Sequence, residues 1–260
     1  MCSIYINNIA GPNKTINALG SQIVVIFSPP IVLDSNKKYE MALLNGSVVY
    51  ANPNVTNRYL RFTYKGDSYD MLLENGIYDI DALNVAFQNL TSYLYPTNGL
   101  FSIEALTSTS QVCIFFYDYA NTQLNFQSNG DNIMDLLGFT PVTTANYFVP
   151  QSITSYAISQ GKAMLNNISQ FIINVDCINS SYNNSQGSSS LLFTSTIEVS
   201  PYSTQNLLPY NLCWCNMFKT TLSSITVTIT SDNGTLVDMT GGNTTVPELF
   251  AVTLLIKEKK

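Results

Sequence analysis

The sequence predicts an all-β antiparallel sandwich carrying one amphipathic helix, and three observations predict it. Short runs rich in β-branched and aromatic residues alternate with clusters of Asn, Gly, Ser and Pro, the pattern of strands punctuated by turns. Several of these runs alternate apolar and hydroxyl side chains with period two, as half-buried strands do. One longer stretch carries its apolar residues at the 3.6 period of a helix.

The elements follow in order. Met1-Cys2-Ser3 opens directly into strand-like sequence, and Ile23 to Phe27 reads as a strand that stops at Pro29-Pro30. Lys38 to Tyr50 and Asn57 to Lys65 read as strands separated by Asn52-Pro53-Asn54, because proline cannot donate to a ladder. From Ile80 onward, Leu83, Ala86, Phe87, Leu90 and Leu94 form one apolar stripe. Asp79 is placed to cap that helix, Asp81 complements the dipole in its first turn, and Pro96 ends it with Tyr95 as the last member. Strands are expected over Phe101 to Leu106 and Val112 to Tyr119, then a short helical turn over Asn132 to Leu137 that stops at Gly138, with Pro141 beyond.

The second half offers strands over Ile168 to Cys177, Ser189 to Val199, Leu222 to Thr230 and Leu249 to Lys257. Phe171, Ile173, Val175 and Cys177 share one face, as do Ile225, Val227 and Ile229, with Thr226, Thr228 and Thr230 opposite. Ser231-Asp232-Asn233-Gly234 predicts a tight hairpin turn into a returning strand, Leu236 to Met239. Asn179 to Ser190 is a polar, low-complexity loop.

Composition bounds the function. The 260 residues are 45% hydrophobic, 12% aromatic and only 11% charged, enough apolar surface to require a sizeable core. The net charge of −6 argues against a sequence-specific nucleic-acid groove, which needs clustered Lys and Arg. The basic tail Lys257, Lys259 and Lys260, with Glu258 inside it, reads as a solvated chain end. No apolar run reaches the ~18–20 residues of a membrane span, and the N-terminus lacks the basic and apolar regions of a signal peptide. A protein made in the cytosol and not secreted is therefore expected.

The chain contains no His, which removes Ser-His-Asp and Cys-His constellations together with the commonest zinc ligand. Cys2, Cys113, Cys177, Cys213 and Cys215 are odd in number and irregular in spacing, and Cys213-Trp214-Cys215 lacks the two-residue spacer of zinc knuckles. As alternating strand positions its two sulfurs would lie on one face, and all five cysteines read as reduced and structural. Asp232 and Asp238 lack the spacing of an EF-hand calcium loop, and turn chemistry accounts for Asp232. Asp67, Asp70, Glu74, Asp79 and Asp81 form the densest acidic run, and carboxylate chemistry across a cleft is the one route left to an enzyme. No catalytic residue, cofactor-binding residue or metal ligand is assigned, and no cofactor is expected. Asn13, Asn54, Asn89, Asn167, Asn183, Asn233 and Asn243 head Asn-x-Ser/Thr triplets, which a chain so rich in Asn, Ser and Thr contains by chance.

A series of motifs runs collinearly through the chain. Tyr39-Glu40-Met41-Ala42-Leu43, Tyr50-Ala51-Asn52-Pro53-Asn54-Val55, Asn75-Gly76-Ile77-Tyr78-Asp79-Ile80-Asp81-Ala82-Leu83 and Leu136-Leu137-Gly138-Phe139 stand in the first half. Val175-Asp176-Cys177, Leu208-Pro209, Ile225 to Ile229 with Asp232-Asn233-Gly234, and Val252-Thr253-Leu254 stand in the second. In this order they resemble a minor capsid protein of Polinton (Maverick) elements and of their virophage and adintovirus-like relatives. The chain departs from that pattern in having Asn243 after Gly241-Gly242 and in ending Lys-Glu-Lys-Lys.

The resemblance implies a jelly-roll core and a structural role as the penton at the five-fold vertices of an icosahedral, double-jelly-roll shell. Its partners would be four further copies, as a homopentamer, and the major capsid protein or hexon. Its place would be the virion, assembled in the host cell. A single jelly-roll domain over 1–260 is expected, with a helix-containing elaboration over about 71–150. The competing reading is a carbohydrate-binding β-sandwich in which Tyr202, Tyr210 or Trp214 stack on sugar rings.

Overall fold

A computed structural model describes residues 1–125, 131–140, 147–148, 156–165, 168–179, 190–200, 202–241 and 247–260. The chain divides into two compact units, one formed by Met1–Asn52 with Ile168–Lys260 and the other by Pro53–Asn167. The second lies in sequence inside the first and spans more of the chain than the elaboration expected over about 71–150.

The first unit begins with β1 (Cys2–Asn7), β2 (Lys14–Ile16), β3 (Gln22–Val32) and β4 (Tyr39–Val49). The second contributes β5 (Tyr59–Tyr64), β6 (Asp67–Leu72), α1 (Ile80–Thr91), β7 (Phe101–Leu106), β8 (Gln111–Phe116), β9 (Thr122–Asn125), α2 (Ile133–Leu136), β10 (Tyr147–Phe148) and β11 (Tyr156–Ile158). The first unit resumes with β12 (Gln170–Val175), β13 (Ile178–Asn179), β14 (Leu191–Thr196), β15 (Thr204–Leu207), β16 (Cys215–Met217), β17 (Thr221–Ser231) and β18 (Phe250–Glu258).

Pairing within the first unit is nested. β1 pairs with β18, β3 with β17, β4 with β15 and β16, and β12 with β14, all antiparallel. The outer partners in sequence enclose the inner ones, as in one long hairpin rolled into two sheets. One sheet runs β1-β18-β4-β16-β13, with β15 also on β4, and the other runs β14-β12-β17-β3-β2. This is the jelly-roll order, and it follows from the pairings themselves.

Period-two patterning decides which residues meet inside. Phe171, Ile173, Val175, Ile225, Val227 and Ile229 from one sheet join Met41, Val252, Leu254 and Ile256 from the other in one buried cluster, while Thr226, Thr228 and Thr230 stay partly exposed. The register pairs Ile173 with Ile229 and Val227 with Ile23, so a one-residue slip would turn that face to water.

β3 does not stop at Pro29. It continues to Val32 because Ile26 pairs with Ser224 and Ile31 with Leu222, so the prolines sit in a bulge where no ladder donor is required. The turn at Ser231–Gly234 forms as expected, with Gly234 N–H donating to the Ser231 carbonyl at 3.0 Å. The returning strand over Leu236 to Met239 does not form: a single bridge links Thr230 and Leu236. Of the polar loop expected over Asn179 to Ser190, all but its end residues lies outside the described residues.

In the second unit, β10-β9-β5-β6 and β11-β8-β7 form two sheets. Lys65 (φ 52°) and Gly66 (φ 91°) make a two-residue hairpin turn into β6, a strand hidden in the sequence by its acidic residues. Phe62 stacks on Tyr69 at 5.1 Å and meets Phe101 edge-on at 5.2 Å, and Phe101 meets Phe116 edge-on at 5.7 Å.

Helix α1 starts where predicted, with Asp79 accepting from the Ala82 N–H at 2.7 Å. It ends at Thr91 rather than Tyr95. Buried Thr91 donates its hydroxyl to the Phe87 carbonyl and accepts the Leu100 N–H, each at 2.8 Å, while Asn84 accepts the Ile103 N–H at 2.9 Å. These side chains satisfy donors of the segment entering β7, and the chain leaves the helix to reach it. Gly138 follows α2 at φ +82°, as the sequence predicts for a helix-ending glycine.

Candidate interaction surface

One exposed apolar stretch of the first unit lies beside β4. β15 pairs with Gly46–Val49 and β16 with Glu40–Met41, so the residues between the two strands loop out opposite the middle of β4. That loop carries Leu208, Tyr210 and Leu212 into solvent, Tyr210 at 99% exposure, and Phe218 is exposed just past β16. Exposed apolar residues this close together mark interaction sites far more often than scattered ones do.

Two lysines of the basic tail, Lys257 and Lys259, are paired while staying a third or more exposed. Lys257 stands 3.6 Å and Lys259 3.2 Å from the two oxygens of the Glu40 carboxylate, and Lys259 also donates to the Asn216 side-chain oxygen at 2.7 Å. The Lys257 ammonium lies 3.8 Å from the centre of the Trp214 ring, and Lys37 pairs with Glu258 at 2.8 Å. The tail is held because β18 runs to Glu258 beside β4, which places Lys257 across from Glu40. Sequence position alone treated these lysines as a chain end, because their partner Glu40 lies on a strand more than two hundred residues away.

A second apolar feature lies at the other edge of this sheet. Asn8, Ile9, Ala10, Ile16, Asn17, Ala18, Pro247 and Leu249 line an open groove of about 790 Å3. The buried Asn8 amide is fully used, donating to the Gly20 and Glu248 carbonyls and accepting the Phe250 N–H at 2.9 Å. Gly20 is required at its wall: its φ is +72°, and a Cβ there would fall 2.2 Å from the Pro247 Cβ.

The three aromatics that sugar stacking would use stand in different settings. One face of Trp214 is taken by Lys257, Tyr202 stands beside Gly241 at φ +58°, and Tyr210 projects into solvent.

Cys213 and Cys215 do not share a face, because β16 begins only at Cys215. Cys213 is exposed and Cys215 buried; Cys2 is exposed as well, and Cys113 and Cys177 are buried, all five as free thiols. The reading of all five as buried structural residues therefore fails for Cys2 and Cys213. Burial pushes the Cys177 thiol up to about 12, with nearby Asp176 adding to the effect, and burial also raises Cys113 and Cys215.

The acidic run is spread through local structure. Asp79 caps α1, Asp81 sits in its first turn, and Asp70 on edge strand β6 stands 3.3 Å from Arg61. Asp67 opens β6, and Glu74 accepts the Tyr78 hydroxyl on its carbonyl. Arg61 makes two parallel bonds to Asp131, at 2.7 and 2.9 Å, which hold that carboxyl below its ordinary range. Asp232 accepts the Ser169 hydroxyl at 2.5 Å, tying its turn to the segment before β12, and Asp238 accepts the Thr240 N–H at 2.8 Å. Among the described residues no group of three Cys, Asp or Glu is gathered to hold a metal ion.

Of the triplet asparagines named above, Asn54 has its amide committed to the Tyr78 and Leu165 carbonyls, and Asn233 accepts within its own turn. Asn13 and Asn89 are exposed, and Asn167, Asn183 and Asn243 lie outside the described residues. Among the described residues no helix is long and apolar enough to cross a membrane.

No protein-family model matches the chain, and no curated protein matches it. Among solved structures it is similar to the mavirus penton protein, with a TM-score of 0.44 and 12% identity over 100% of both chains. It is also similar to a chain of the Sputnik virophage structure solved by electron cryomicroscopy, with a TM-score of 0.43 and 12% identity over 99% of this chain and 98% of that one.

Proposed function

We propose that this chain is a structural minor capsid protein, the penton that fills the five-fold vertices of an icosahedral shell, and not an enzyme. The observation that carries the reading is the nested jelly-roll pairing in the first unit, with a second folded unit carried on the connection from β4 to β12. The collinear motifs supply the family, and the fold supplies a molecule with two unlike edges. In a cyclic ring each subunit must offer one surface to its left-hand neighbour and a different one to its right. The β1 edge and the β15–β16 edge are such a pair.

Low charge density supports the same role, since wide lateral surfaces can be buried with few ions to desolvate. The two units together form one protomer, the partners are four further copies and the hexon, and the protein resides in the virion after assembly in the host cell. Isolated subunits associate weakly, and the shell raises the effective concentration of each neighbour.

A reconstruction of particles from the same source tests this. Density for the chain at every five-fold vertex, five copies each with strands roughly along the axis, is the expected result. Closed vertices in particles that lack the chain would refute it.

A further inference from the structure

Side chains of three adjacent strands meet over β4 where β18 ends. Glu40 has Asn216 of β16 across from it on one side and Lys257 of β18 on the other, so the three stand in one row on one face of the sheet. The Lys259 N–H donates to the Lys38 carbonyl at 2.8 Å, which carries the ladder past Glu258 and returns Lys259 to the face of Lys257. Its ammonium touches both other groups, 2.7 Å from the Asn216 side-chain oxygen and 3.2 Å from the Glu40 carboxylate. Among the described residues no other lysine contacts both an Asn side chain and a carboxylate.

We propose that Lys259 and Asn216 condense to an isopeptide bond within the folded chain, with Glu40 carrying protons and ammonia leaving. Glu40 accepts a proton from the Lys259 ammonium and frees the lone pair on Nζ. That pair attacks Cγ of Asn216, and the carbonyl electrons move onto Oδ1. As they return, the bond from Cγ to Nδ2 breaks. Of the two protons that Nζ sheds in all, one completes the departing ammonia and the other passes through Glu40 to water. One C–N bond forms, one breaks, and no oxidant or reductant is consumed.

Placement supplies most of the rate, since well-oriented groups held in one molecule reach effective concentrations on the order of 10⁵ M or more. Charge balance favours the product. Two ammonium groups share the Glu40 carboxylate, and turning Lys259 into an amide leaves Lys257 and Glu40 as an even pair. Glu40 is only 14% exposed, so its charge is less screened than those of the lysines, while exposed Asn216 gives ammonia a path to solvent. A second contact provides the contrast: Lys14 Nζ lies 2.6 Å from the Asn7 side-chain oxygen, and among the described residues no carboxylate pairs with Lys14. Lacking a proton carrier, that pair stays open. The bond at Lys259 spans β4 and ties residues 43 apart in sequence, so it forms only after β18 has docked and locks the step that completes the sheet.

Mass spectrometry of the purified full chain tests this. The denatured wild type is expected to be lighter by one ammonia than its composition requires, and trypsin should release a branched peptide joining residues 163–219 to the segment that bears Lys259. Lys259→Arg, a surface change that keeps the charge, should abolish both the loss and the branched peptide. Glu40→Gln should leave most chains unlinked while keeping the circular dichroism of the wild type. An undiminished wild-type mass would overturn the proposal. So would a missing ammonia carried by a linear peptide, as from a succinimide at Asn233-Gly234, a link between Lys14 and Asn7, or linkage in Glu40→Gln equal to that in the wild type.

Discussion

The two units are built from the same kind of strand and closed in opposite ways. In the first, the strands that pair are remote in sequence: Cys2 faces Ile256, and Gln22 faces Thr228. In the second, β5 pairs with β6 and β7 with β8 across short turns. Their cores differ accordingly. The first interleaves Ile, Val and Leu from two long-range sheets, whereas the second gathers Phe62, Phe87, Phe101 and Phe116 with a helix laid over them. Non-local pairing pays its loop-closure entropy before any contact rewards it, so the second unit can order locally and the first waits for its last strand.

The largest expected effect breaks the comparison at that strand. β18 lies between β1 and β4, so removing Phe250–Lys260 takes out the middle of a sheet and leaves two new edges. Hydrogen exchange on the truncated chain should show the first unit fully open and the second still protected. Equal loss of protection in both would show that they do not fold separately.

Two core truncations should separate the units more gently. Phe171→Ala and Phe62→Ala each empty a fully buried site, at a cost of about 3–5 kcal/mol. Each should lower the unfolding transition of its own unit only, as followed by segment-resolved exchange or calorimetry.

Gly138→Ala tests a single backbone position in the second unit. The residue sits at φ +82°, and a Cβ would fall 2.5 Å from the Gly161 carbonyl oxygen, a backbone atom that cannot swing aside. A loss of about 1–3 kcal/mol is expected, confined to that unit. An unchanged melting temperature would mean that the turn shifts freely.

Acid should act on the second unit through Asp131. Its carboxyl is held low by the hydrogen bonds from Arg61, so that pair contributes fully above the unfolded carboxylate value of about 3.9 and is lost as pH falls through the lower folded value. The side chain is about a third exposed, so water and salt screen much of the gain. Denaturation of wild type and Arg61→Gln at pH 7 and pH 3 should converge at the lower pH. A gap that stays constant would assign the effect of Arg61 to packing over Tyr59 instead.

What the sequence made legible follows from how far each signal reaches. The alternation in Phe171–Cys177 and Ile225–Ile229 identified inward faces correctly because a strand's two faces are set by its own residues. Asp79 and Gly138 were legible because capping is settled within one turn. β6 was missed because Asp67 and Asp70 are tolerated on an edge strand, which composition reads as loop. The continuation of β3 past Pro29 and the pairing of Lys257 depend on a partner strand far along the chain, which no local window contains. Nor was the groove readable: Asn8, Ile16, Pro247 and Leu249 come together only once β1 and β18 pair. The loop was in view as Leu208-Pro209 and Tyr210, but its exposure depends on β15 and β16 being held at separate places along β4.

The smallest effect concerns Cys213 and Cys215, where one residue separates a surface position from a core one. Cys215 opens β16 opposite Met41, is 5% exposed, and its thiol is raised by burial. Cys213 precedes the strand and is exposed. Replacing Cys215 with Ser puts a hydroxyl where the sulfur was a small hydrophobe, at about 1–3 kcal/mol if the hydroxyl finds no partner. Cys213→Ser should stay within about 0.5 kcal/mol, the usual range of surface substitutions. Alkylation gives the independent readout: under native conditions at pH 8, Cys2 and Cys213 should react promptly, while Cys215 and Cys177, whose thiolates are disfavoured by burial, should react only on unfolding. Equal modification of Cys213 and Cys215 in the native protein would show that β16 does not hold Cys215 against the core.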